Sequence, residues 1–112
     1  MLCSLRNIYP ATNSVKAGEW NYLPFVGRQL DHLRVGVIGY GRLGKIFVRL
    51  ISNFTKKISI YEKKFKIKNK YKIYQKNLKY LIKNSDIIVL HIHADNENNN
   101  FLNKKLFALM KK

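Results

Sequence analysis

The chain is poor in acid and in cysteine: Cys3 is its only cysteine, and six Asp and Glu stand against 22 Lys and Arg in 112 residues. A lone cysteine excludes an internal disulfide and a multi-cysteine zinc site. Nothing around Cys3 marks it as a nucleophile, so it reads as a small apolar residue. Long apolar runs are missing as well. None approaches the roughly 18 to 20 residues that a spanning helix needs, and the N-terminus has no continuous apolar core followed by a small-residue cleavage site. A soluble, cytoplasmic protein with no membrane partner is the expectation. Arginine is scarce too, with 17 Lys to 5 Arg, although Arg is the better bidentate reader of phosphate.

What the chain has is enough apolar content, 46%, for one domain with a real core, and a formal net charge of +16. Such a charge suits an anionic partner such as nucleic acid or an acidic membrane surface. An abundance of Lys, Asn and Ile is also what an A/T-rich coding sequence produces without selection for phosphate binding. The charge is densest from Lys63 to Lys83, "KKFKIKNKYKIYQKNLKYLIK", where Lys and Tyr interleave and no acid appears. That run can track a phosphate backbone while its aromatics stack on bases, and a solvated helix and loop surface accounts for it equally.

Along the chain the pattern alternates between elements and shows no internal repeat. Met1 to Val15 suits a short helix cut off by Pro10. Gly18 to Gln29 reads as an irregular connection packed down by Trp20, Tyr22 and Phe25. "LRVGVI", Leu33 to Ile38, is a strand candidate buried on both faces. Leu43, Ile46, Phe47, Leu50, Ile51 and Phe54 then recur with helical spacing. "ISIY", Ile58 to Tyr61, reads as a second strand. A short helix carrying Leu78, Leu81 and Ile82 follows, ending near Asn84. "IIVLH", Ile87 to His91, is the third strand, and a last helix runs from about Asn103 to Met110. Strands that alternate with helices imply an α/β fold with a parallel sheet and helical crossovers.

The segment "GVIGYGRLGK", Gly36 to Lys45, places three glycines at GxGxxG spacing after a strand and at the opening of a helix. In a dinucleotide-binding turn each has a task. Gly39 allows a sharp turn, Gly41 lets backbone amides approach a pyrophosphate, and Gly44 lets the helix pack close to the strand. The helix N-terminus then offers unpaired N–H groups and partial positive charge to the diphosphate. Glu62 ends the second strand about 20 residues after Gly41, where a carboxylate accepts from both ribose hydroxyls and repels a 2′-phosphate. NAD is therefore favoured over NADP, a preference that Lys63 and Lys64 weaken.

The order of these segments resembles the D-isomer-specific 2-hydroxyacid dehydrogenases, of which phosphoglycerate dehydrogenase is a familiar member. "LRNIYPATNSVKAGEWN" looks like the crossover helix and connection into the cofactor domain, and "VGRQLDHLRVGVIGYGRLGK" like that domain's first strand and glycine loop. "ISIYEKK" resembles the second strand with its terminal acid, usually Asp and here Glu62. "LKYLIKNSDIIVLHIH" resembles the helix, the Ser85 and Asp86 pair and the third strand, and "NNNFLNKKLFALMKK" the helix before the next strand. The resemblance implies a partial Rossmann-type fold: residues 1–30 as crossover helix and connection, and 31–112 as the N-terminal half of a dinucleotide-binding domain.

Carried over, the family pattern assigns the cofactor to Gly39, Tyr40, Gly41, Arg42, Leu43 and Gly44, with Glu62 on the ribose and His91 to Asp95, including Ile92 and His93, as the opposite wall. The family's usual Pro is His93 here, and the following small polar position is Asp95, so the wall differs in shape and charge. His91 and His93 alternate on a strand end with no third metal ligand apparent, which suits a structural or cofactor-lining role. The resemblance places the family's catalytic Arg, Glu and His beyond Lys112 and its substrate-binding half before the crossover helix. The expectation is an excerpt from an NAD-dependent dehydrogenase of 2-hydroxy or 2-keto acids, a homodimer in its parent form and inactive as this chain alone. Two rival readings stand beside it: an inactive gene remnant, and a basic nucleic-acid-binding module using residues 63–83.

Overall fold

In the computed structural model, residues 1–63 and 74–111 are described. Residues 64–73, about half of the Lys/Tyr-rich stretch, lie outside them. The chain opens with α1 (Leu2–Leu5) and α2 (Ile8–Lys16), separated at Asn7, whose φ of +51° is incompatible with a continuous helix. Pro10 therefore does not end a helix, as its sequence position suggests. It stands in the first turn of α2, where the N–H that proline lacks has no intrahelical acceptor in any helix.

A connection with two short 3-10 turns, Leu23–Phe25 and Leu30–His32, leads into the sheet. The aromatics do not pack it down as expected: Trp20 is 91% exposed and Tyr22 75%. They flank an open cleft of about 630 Å³ that they share with Ile8, Val15 and Phe25, and among the described residues nothing covers their outer faces. The anchor of this connection is instead Leu30, which is buried in the main core beside the sheet, with Leu5 packed against the same cluster.

Four parallel strands follow, β1 (Val35–Ile38), β2 (Ile58–Tyr61), β3 (Tyr74–Gln75) and β4 (Ile87–Leu90), in the spatial order β3-β2-β1-β4. Between them lie α3 (Arg42–Ile51), α4 (Leu78–Asn84) and, after β4, α5 (Lys104–Phe107). The three-strand expectation is thus one short. β3 is only two residues, both exposed, so no alternation of apolar and polar residues marks it. The first strand also begins at Val35 and not at Leu33, although Leu33 is itself buried.

The period of two along each strand divides the core into two layers. Val35 and Val37, Ile58 and Ile60, and Ile87 and Val89 face one side, where Val48, Ile51 and Phe47 of α3 close over them. Ile38, Tyr61 and Ile88 face the other, against Leu81 and Ile82 of α4 and the apolar residues of α5 and its flanks. β1 is buried at all four positions, as a central parallel strand must be. α4 and α5 are each capped by an asparagine side chain: Tyr80 N–H donates to Asn77 Oδ1 at 2.8 Å and Leu106 N–H to Asn103 Oδ1 at 3.1 Å. No described helix is long and apolar enough to cross a membrane.

Candidate dinucleotide site

The register of the sheet brings the candidate residues together. The last paired row is Tyr61, Ile38 and Leu90 across β2, β1 and β4. The next residue on each strand is Glu62, Gly39 and His91. Two further bonds extend the pairing to this level, Gly39 N–H to Tyr61 O at 2.9 Å and His91 N–H to Ile38 O at 2.8 Å. β1 connects through α3 to a strand on one side and is paired by β4 on the other, so this row sits at the point where the strand order reverses, outside the carboxyl ends of the strands.

The three glycines have different reasons for being glycine. Gly39 has a φ of +92°, and a Cβ there would strike the His91 carbonyl. A Cβ on Gly44 would fall on the Gly39 carbonyl oxygen. Both are required by the packing of the turn itself. Gly41 is different: its φ of −70° is open to any residue, and a Cβ would meet nothing within 4 Å. The space beside it is a cradle that any side chain would begin to fill.

Gly41 is also the N-cap of α3, and it supplies no side-chain cap. The first intrahelical bond is Lys45 N–H to Gly41 O at 3.0 Å. The amides of Arg42, Leu43 and Gly44 are those that a helix leaves without intrahelical acceptors. No acidic side chain lies in this first turn, so the helix itself contributes no negative charge against the partial positive charge of its end. A diphosphate suits that donor set.

Glu62 reaches back to this turn. Its Oε2 accepts the Tyr40 N–H at 2.8 Å, and Gln75 Nε2 donates to its backbone carbonyl at 3.3 Å. Tyr40 contributes only backbone to the site, because its side chain is buried in the main core, with Lys45 Nζ 5.9 Å from its ring centroid. The Leu43 side chain is 65% exposed.

On the facing wall, His91 packs its ring against Phe47, centroids 5.1 Å apart and tilted at 50°. Its Nε2 is buried and has no hydrogen-bond partner, which is costly unless a polar ligand or water completes it. Ile92 packs into the second core layer, and His93 is exposed. Among the described residues no group of three His, Cys, Asp or Glu could hold a metal. Two contributors were not legible in the sequence. Gln75 lies on the unmarked β3, and Phe47 shows only as one of several apolar residues at helical spacing.

Comparison with known proteins agrees with this geometry. The sequence pattern described as "D-isomer specific 2-hydroxyacid dehydrogenase, NAD binding domain" matches residues 1–112. A D-2-hydroxyacid dehydrogenase (NAD+) of Lacticaseibacillus paracasei is 30% identical over 109 residues, covering 96% of this chain and 32% of that protein. The D-lactate dehydrogenase of Aquifex aeolicus, solved with NAD and lactic acid, superposes with a TM-score of 0.88 at 26% identity, over 98% of this chain and 34% of that one. An acyclic imino acid reductase solved with NADPH and D-Arg gives 0.84 at 29% identity, over 97% and 35%. The chain spans about a third of the length of each of these three proteins.

Proposed function

The chain belongs to the D-isomer-specific 2-hydroxyacid dehydrogenase family through its NAD binding domain, and from that premise we propose that it is the cofactor-holding part of an oxidoreductase acting on the CH–OH group of a 2-hydroxy acid. The bound nicotinamide supplies the hydride acceptor. The amides of Arg42, Leu43 and Gly44 and the positive end of α3 bind the diphosphate, and Gly41 leaves room for it. The Glu62 carboxylate accepts from the ribose hydroxyls, which favours NAD over NADP. His91, Ile92 and His93 form the opposite wall. None of these residues is assigned the acid–base step. In this reading that step, and recognition of the 2-hydroxy or 2-keto acid, belong to the remaining two thirds of a protein of the relatives' length.

Residues 1–30 are assigned as crossover helix and connection, and 31–112 as the first half of the cofactor domain. A homodimer is part of the same proposal. Leu43, Ile46, Leu50 and Phe54 form an exposed apolar ridge along α3 and the turn after it, the kind of surface that marks an interaction site. A cytoplasmic setting completes it, consistent with the lack of any described helix suited to a membrane.

The observation that carries the reading is Gly41, a glycine that neither backbone conformation nor neighbouring atoms require. Calorimetric titration with NADH and NADPH at moderate salt tests it. Saturable NADH binding, tighter than NADPH, is expected; heat that never saturates and vanishes with salt would instead indicate a basic surface attracting any anion.

A further inference from the structure

Glu62 does more in this structure than end a strand beside the site. The peptide that joins Gly39 to Tyr40 is held at one polar end and closely packed at the other. Its N–H donates to Glu62 Oε2 at 2.8 Å, and its carbonyl oxygen lies so near α3 that a Cβ on Gly44 would strike it. The rotation of that one peptide plane therefore sets how the first turn of α3 sits over the end of β1. Glycines on either side, Gly39 and Gly41, leave the backbone permissive there. The Tyr40 side chain itself is buried in the core.

We propose that Glu62 is a positioning residue for the diphosphate site: through the Tyr40 amide it orients the Gly39–Tyr40 peptide and so holds the Arg42 and Leu43 amides where an anion is bound. The inference rests on the dinucleotide reading and adds to it, because the ribose contact alone gives Glu62 no part in ordering the turn that binds the anion.

The two roles predict different orders of affinity for inorganic pyrophosphate. If Glu62 were only a negative charge near the site, any neutral replacement would strengthen pyrophosphate binding. If it positions the turn, a replacement that keeps an acceptor and one that does not must differ. Glu62→Gln retains an amide oxygen for the Tyr40 N–H, and Glu62→Ala retains nothing.

The experiment follows backbone amide resonances of the full 112-residue chain as inorganic pyrophosphate is added, for wild type, Glu62→Gln and Glu62→Ala. Reading the Arg42 and Leu43 amides separates the site from anion binding elsewhere on a basic surface. Hydrogen exchange at Tyr40 reports the turn, and exchange at Val37, in the middle of β1, reports the fold. Glu62→Gln is expected to bind pyrophosphate at least as tightly as wild type. Glu62→Ala is expected to bind about tenfold more weakly than Glu62→Gln, with Tyr40 exchange faster by a similar factor and Val37 unchanged. Equal binding by the Gln and Ala variants, or Tyr40 exchange that Glu62→Ala leaves unaltered, would overturn the positioning role. Absence of any pyrophosphate response in the wild type would overturn the dinucleotide reading instead, and the Tyr40 exchange comparison would still decide the positioning role by itself.

Discussion

The carbonyl oxygen of Gly39 occupies the place that a Cβ on Gly44 would need, so the glycine turn and the first turn of α3 are in backbone contact. The obstructing atom is main chain and cannot rotate away. Gly44→Ala is therefore expected to destabilise the fold by about 1–3 kcal/mol or more, despite the helix propensity that alanine adds. Chemical denaturation of the two proteins checks this; an alanine variant as stable as wild type would contradict the packing.

A second close approach lies on the other face of β1. A Cβ on Gly36 would meet the Ser85 hydroxyl and the Leu81 side chain. Ser85 Oγ donates to Leu81 O at 2.7 Å, within the seam between α4 and the strand. Gly36→Ala should cost about 1–3 kcal/mol. In a Ser85→Ala background the cost should be smaller, because one of the two obstructing groups is gone, and a double-mutant cycle measures the difference.

These contacts show why some of the structure was legible in the sequence and some was not. β1 and β4 are short apolar runs, β2 is one interrupted by Ser59, and the glycine spacing marks the turn between β1 and α3. β3 carries no such signal, being two exposed residues in a lysine-rich stretch. For α3 the period was legible, but of the buried face only Gly44 was. The helix has two apolar faces, and the one against the sheet is Gly44, Val48 and Ile51, while Leu43, Ile46, Leu50 and Phe54 face outward. A glycine at the point of closest approach decides the orientation, and hydrophobicity alone ranks that glycine low. The Tyr40–Glu62 bond was equally hidden, since it depends on the register of two strands and not on spacing along one.

Asp86 links the N-terminal end of the sheet to the C-terminal segment. Its carboxylate accepts from Lys111 Nζ at 2.7 Å and from Arg34 N–H at 2.8 Å. The Lys111 hydrogen bond, followed by the Arg34 amide, holds its pKa below the ordinary 3.8 and outweighs the opposing effect of burial. A group with a depressed pKa in the fold stabilises it fully above the unfolded value, and the contribution is lost as pH falls through the folded value. Asp86→Asn should lower the thermal midpoint at neutral pH, with the gap to wild type closing as pH falls below 3.8. A gap that stays constant down to acid would contradict the assignment.

The outward ridge of α3 predicts the state of association. Leu50 is 57% exposed and Ile46 43%, so a lysine at either position should not disturb the core. Leu50→Lys is expected to shift the sedimentation profile from dimer to monomer while denaturation stays within about 0.5 kcal/mol of wild type. A wild type that sediments as a monomer at all concentrations would remove the ridge from the proposal.

The most direct test of the dinucleotide site is NADH binding to wild type and Gly41→Val, with thermal unfolding measured on both. Valine at the N-cap costs the free protein no more than about 1 kcal/mol, since nothing lies within 4 Å of its Cβ. The expected result is saturable binding in the wild type, weakened at least about tenfold in the variant, with nearly equal thermal midpoints. Equal NADH affinity in the two folded proteins would contradict a diphosphate seated against Gly41.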